Sequence, residues 1–121
     1  MLPSIEVDKR ITAVCPDMRI GIIRAKVINT PTNDELWGEI LAAAEKITQD
    51  YELLAINQRP AISATRKLYK KLGKDPNRYR VASEALCRRI IRGLGLYRLT
   101  ALVDMINLVS IVSGYAISGL D

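Results

Sequence analysis

Histidine is absent from all 121 residues, which removes the commonest general base near neutral pH. Any catalysis would have to rest on carboxylates, lysine, tyrosine, cysteine or the substrate itself. Cysteine is scarce too. Cys15 and Cys87 lie far apart with no metal-ligand spacing, and a zinc site lacking histidine would need an unusual set of thiolates and carboxylates. No metal and no cofactor is therefore expected. The first residues, Met1-Leu2-Pro3-Ser4-Ile5-Glu6, lack a basic stretch followed by an apolar run, so no secretory leader is expected. The two thiols are then expected in reduced form, in a cytoplasm. Long apolar runs are also missing. From Leu99 to Leu120 the only charge is Asp104, but the uncharged part, Met105 to Leu120, is sixteen residues. That is short of the roughly 20 a spanning helix needs. A buried core segment is expected there, not a membrane span. There are no repeats and no low-complexity linker, and 49% of the chain is hydrophobic, which together indicate one globular domain over residues 1–121.

What is abundant is positive charge in one place. Between Arg59 and Arg98 the chain carries twelve Lys or Arg (Arg59, Arg66, Lys67, Lys70, Lys71, Lys74, Arg78, Arg80, Arg88, Arg89, Arg92, Arg98) against two acids, Asp75 and Glu84. Outside that segment six basic residues face eleven acidic ones. A charge excess gathered into one folded segment is the footprint of a phosphate-rich partner.

Periodicity places these residues on elements. Ile5 and Val7 alternate with polar neighbours, and Ile11 to Val14 continue as a partly β-branched run, which predicts one strand or two short ones ended at Pro16-Asp17. Arg19 to Ile28 (RIGIIRAKVI) predicts a further strand. Pro31, Thr32 and Glu35 form a capping-box pattern for a helix carrying Leu36, Trp37, Ile40, Leu41, Ala44 and Ile47 on one stripe. Such a stripe places Trp37 in a core. Arg59-Pro60 opens a helix with Ile62, Thr65, Tyr69 and Leu72 on its apolar face and Gly73 as its stop. Ser83 is the expected N-cap of a helix to Arg92, on which Glu84 is placed to neutralise Arg88. A last helix is expected from Ala101 to Ser113, ended by Gly114. Strands first and helices after give an α+β class, with N-terminal β-strands followed by a helix-rich basic half.

Five cations share the Pro60 helix with no acid among them. The row Arg66, Lys70, Lys74 repels itself at i, i+4 spacing unless an anion is present. The expected interface comprises Arg66, Lys67, Lys70, Lys71, Lys74, Arg78, Arg80, Arg88, Arg89 and Arg92. Tyr79, between two arginines in a turn, is placed either to stack on a base or to anchor the loop. Nothing in the pattern dictates base-specific readout, so backbone-dominated binding of RNA or DNA is the expectation. Spacing also sets Asp104, Asn107 and Ser110 within one arc of the last helix, as a pocket wall or as a buried capping network.

Two motifs carry a resemblance. The run Tyr69 to Arg80 (YKKLGKDPNRYR) with Ser83 to Arg89 (SEALCRR), and the tail Val103-Asp104-x-x-Asn107-x-Val109 followed by Gly114 and Asp121, resemble free-standing relatives of one synthetase domain. This is the tRNA-binding and editing domain of the phenylalanyl-tRNA synthetase beta subunit, and the likeness spans roughly Pro60 to Asp121. The resemblance implies a tRNA partner, part of an editing-domain-like fold, and a substrate pocket drawing on Asn107, Asp104 and Ser118. In the synthetase, that domain hydrolyses tyrosine wrongly attached to the phenylalanine tRNA. The family has a His at the position matching Ser118 and a Pro at that matching Ala116, and its domain runs on past the position matching Asp121. The resemblance is thus to the N-terminal half of the domain. It implies a tRNA-binding module rather than an enzyme, with catalytic residues unassigned. The alternatives are a free-standing deacylase of mischarged aminoacyl-tRNA, or a non-catalytic amino-acid-binding or protein-interaction domain. It further implies an exposed apolar edge at Val109, Val112, Tyr115 and Ile117, through which the chain would form a homo-oligomer.

Overall fold

A computed structural model describes residues 2–121. Five α-helices and one 3-10 turn follow in order: α1 (Lys9–Val14), α2 (Asp34–Asp50), the 3-10 turn (Leu53–Gln58), α3 (Pro60–Lys71), α4 (Ala82–Ile91) and α5 (Ala101–Ser113). Among the described residues there is no strand and no sheet, which overturns the α+β expectation; the fold is all-helical. The reason lies in the first thirty residues. Asp8 accepts a hydrogen bond from the Arg10 backbone N–H at 2.8 Å and so caps a short helix where a strand was expected. Residues 19–28 form no strand, and Ile23 is 94% and Ile28 93% exposed. β-Branched side chains favour a strand only where a neighbouring strand gives them something to pack on, and among the described residues the one isolated bridge joins Pro31 to Thr100.

The helical half follows its local signals more closely. Asn33 caps α2 by accepting from the Leu36 N–H at 2.8 Å. Thr32, the expected cap, is instead buried and donates to Asp104. Pro60 starts α3 where its missing N–H costs nothing. Gly114 ends α5 at φ +81°, a left-handed backbone that selects glycine, while a Cβ there would meet Ala61 Cβ only at ordinary contact distance, 3.4 Å.

The core is small and nearly all isoleucine. Ile47 of α2, Ile56 of the 3-10 turn, Ile62 of α3, Cys87 and Ile90 of α4, and Ile111 of α5 form one buried cluster, flanked by Ala43, Ala44, Tyr51, Leu86, Ile91 and Leu96. Every element after α1 contributes to it, so each is held by the others. Trp37 is half-buried, with the Arg98 guanidinium 5.8 Å from its ring centre. The C-terminal stretch expected in the core is mostly outside it. Asp104, Ser110, Ile111 and Gly114 are buried, whereas residues 115–121 are exposed. Among the described residues no helix is long and apolar enough to cross a membrane.

Candidate nucleic-acid interface

The twelve cations of the basic segment divide by what they touch. Arg59 turns inward. Its guanidinium donates to the carbonyls of Ile111 at 2.7 Å and Val112 at 2.8 Å, lies 3.4 Å from the Cys87 sulfur, and packs 5.2 Å from the Tyr51 ring centre. It thereby satisfies the orphan carbonyls at the end of α5, where the helix dipole favours a cation. Burial pushes the Cys87 thiol pKa above its ordinary value, with the nearby Arg59 charge acting in the opposite sense.

Arg66 is held as well. Glu84, expected to face Arg88, is fully buried and receives Arg66 Nη1 at 2.6 and 3.0 Å. The same guanidinium donates to the Asn77 side chain at 2.7 Å and the Pro76 carbonyl at 3.3 Å. Arg80 approaches Glu84 at 3.8 Å from the solvent side. One carboxylate thus ties α3, the Asp75–Arg80 loop and α4 together. Arg98 bonds Asp34 at 2.9 Å and the Thr32 carbonyl at 2.6 Å. Arg89 bonds the Gly95 carbonyl and lies over the Tyr97 ring.

Tyr79 keeps both of its open possibilities in part. It is exposed, but Lys74 and Arg78 already lie 4.7 and 5.3 Å from its ring centre. That cation cluster orders the loop and holds three candidate interface residues in one place. Lys67, Lys70 and Lys71 are exposed on α3 and have no ion-pair partner among the described residues, as is true of Arg92 after α4. Arg88 is half-buried and also lacks such a partner.

Beside this lysine face is a groove of about 260 Å³ lined by Asn57, Gln58, Ser63, Arg66, Lys67 and Lys70. Asn57, Gln58 and Ser63 escaped the sequence reasoning. The signal for Ser63 was available in its spacing, four residues before Lys67 and seven before Lys70 on an acid-free helix. A wider hollow of about 680 Å³ lies against Glu6, Val7, Asp8 and Lys9, four consecutive residues of mixed charge. There the Arg10 guanidinium holds the exposed Asp8 carboxyl at a pKa of about 2.

The substrate-pocket residues implied by the resemblance are dispersed in role. Asp104 is buried, and its carboxylate accepts from the Thr32 hydroxyl and from the Leu99 N–H at 3.0 and 3.2 Å. This is the capping network of the two alternatives that spacing allowed. Ser110 likewise donates inward, to the Tyr115 carbonyl at 2.7 Å. The half-buried Asn107 side chain makes no hydrogen bond among the described residues, and Ser118 is exposed in the tail. No three His, Cys, Asp or Glu side chains among the described residues gather in a way that would hold a metal ion. Comparison with protein-family models, with curated proteins and with solved structures finds no match to this chain.

Proposed function

We propose that this protein is an RNA-binding module, with tRNA as its partner, and that it works in the cytoplasm. The observation that carries the proposal is the acid-free face of α3. After the ion pairs of Glu84 and Asp34 are accounted for, Lys67, Lys70 and Lys71 still present three uncompensated charges on two turns of one helix. Neighbouring ammonium groups on a helix repel, and a phosphodiester backbone converts that repulsion into binding by releasing condensed counterions. Lys74, Arg78 and Arg80 extend the positive surface from the loop, and Arg88 and Arg92 extend it from α4. Two free thiols, one of them buried, suit a reducing compartment. The YKKLGKDPNRYR and SEALCRR motifs, which resemble the synthetase domain, make tRNA the first RNA to test.

The test is binding of bulk tRNA across a salt series with duplex DNA as competitor. The double variant Lys71→Glu/Arg92→Glu is expected to weaken binding and to flatten the slope of log affinity against log salt, by about 0.7 for each phosphate that is no longer neutralised. Wild-type affinity and slope in that variant would dismiss the surface. Complete competition by DNA would dismiss tRNA as the preferred partner.

A further inference from the structure

The geometry points to a phosphoryl-binding subsite in the groove between the 3-10 turn and α3. This inference rests on the RNA-binding proposal and names the group that α3 would engage. The lining is dominated by donors. Gln58 Nε2 donates to Asn57 Oδ1 at 2.9 Å, which occupies the Asn57 acceptor and leaves its NH2 group without a protein partner among the described residues. The Ser63 hydroxyl, unlike that of Thr65 two residues on, makes no bond back to the helix carbonyls. Lys67 and Lys70 stand one and two turns further along the same side, with no ion-pair partner among the described residues. Arg66 forms the wall without adding a free charge, because Glu84 holds it at 2.6 Å; the groove therefore has one fixed side and two adaptable ammonium groups.

A site made of hydroxyl, amide and ammonium donors, with no carboxylate in its lining, selects an anion over a neutral or cationic ligand. Size narrows the choice. The groove's volume of about 260 Å³ falls below the roughly 300–1,000 Å³ of pockets that enclose drug-sized ligands. It suits one or two phosphoryl groups, and the remainder of a nucleotide would lie outside on the lysine face. The source is either a backbone phosphate of the bound RNA or a free polyphosphate.

The experiment is a titration of the full chain with inorganic pyrophosphate, followed by amide chemical shifts. Saturable shifts at Ser63, Lys67 and Lys70 are expected. Ser63→Ala, which changes no charge and suits a helix, is expected to weaken pyrophosphate about fivefold, the size of one lost hydrogen bond. Lys67→Gln is expected to weaken it about tenfold, while Lys46→Gln on α2, the same charge change elsewhere, leaves it within about twofold. Absence of saturable shifts, or a Ser63→Ala variant that binds as the wild type does, would overturn the subsite. Displacement of pyrophosphate by tRNA assigns the phosphate to nucleic acid; pyrophosphate that stays bound beside tRNA supports the subsite with a free polyphosphate as its ligand. A chain that binds pyrophosphate but not tRNA keeps the subsite and loses the RNA proposal; the reverse result loses only the subsite.

Discussion

Glu84→Gln is the most demanding perturbation this fold offers, because it removes one charge and almost no volume. Glu84 has 1% of its side chain exposed and Arg66 11%, so the guanidinium would be left near the interior with no counter-charge. Two unit charges at about 4 Å and an effective dielectric of 20 attract by roughly 4 kcal/mol. The glutamine oxygen retains one hydrogen bond, which returns about 1 kcal/mol. Arg80 is one-third exposed and 3.8 Å away, so its share is screened to under about 1 kcal/mol. The expected net loss is about 3 kcal/mol, at the lower end of the range for breaking a buried pair. Against a typical total of 5–15 kcal/mol, that is a large fraction. At a urea slope of about 2 kcal/mol/M the unfolding midpoint would fall by about 1.5 M. Arg66→Met/Glu84→Leu, which removes both charges and keeps the volume, is expected to recover most of the loss. A Glu84→Gln midpoint within about 0.25 M of wild type would refute the claim that this carboxylate ties α3 to α4, as would a double variant no more stable than the single one.

Two further expectations follow from other parts of the molecule. Cys87 has its thiol pKa raised by burial from a starting value of 9.0. A value higher in the folded than in the unfolded chain gives stability that is complete below about pH 9 and is lost as pH rises through the folded value. Wild type should therefore lose stability above about pH 9 faster than Cys87→Ala, which itself costs about 1 kcal/mol at neutral pH; parallel curves would remove this contribution. On the C-terminal side, Val112 and Tyr115 are 61% and 65% exposed beside Val109 and Ile117. Sedimentation velocity at tens of micromolar is expected to show a homo-oligomer that Val112→Asp dissociates, and a well-behaved wild-type monomer would end that expectation.

The helical half was readable because its signals are local. Pro60 at the start of α3, Gly73 just past its end and Gly114 after α5 act through the backbone of their own neighbourhood, and those helices form where the pattern placed them. The N-terminal segment misled for the opposite reason. The β-branched content of residues 19–28 is a statement about packing, and among the described residues there is no strand to pack on. In the candidate interface, the lysines of α3 were legible as a charge excess, but their division into bound and free cations was not. Glu84 faces Arg66, eighteen positions away, where helix spacing alone pointed to Arg88. Asp104, a pocket candidate by motif, is taken up by Thr32, 72 positions distant. Partners at such separations leave no periodic trace.

The hydrogen bonds that reach α5 also bear on how the chain acquires its shape. Thr32 to Asp104, Asn29 to Thr100, Arg59 to Ile111 and Ser83 to Gly114 span 72, 71, 52 and 31 residues. Helical proteins usually fold quickly because their contacts are close in sequence. Here the loops must close over long separations before these polar groups, three of the four pairs buried, find partners, so folding should be slow for an all-helical chain of this size. During synthesis, Arg59, Ser83 and Thr32 leave the ribosome well before the groups that satisfy them. Until α5 is complete they stay hydrated and the isoleucine cluster lacks its last member. Of these five helices, the last to be made is the one that completes the core.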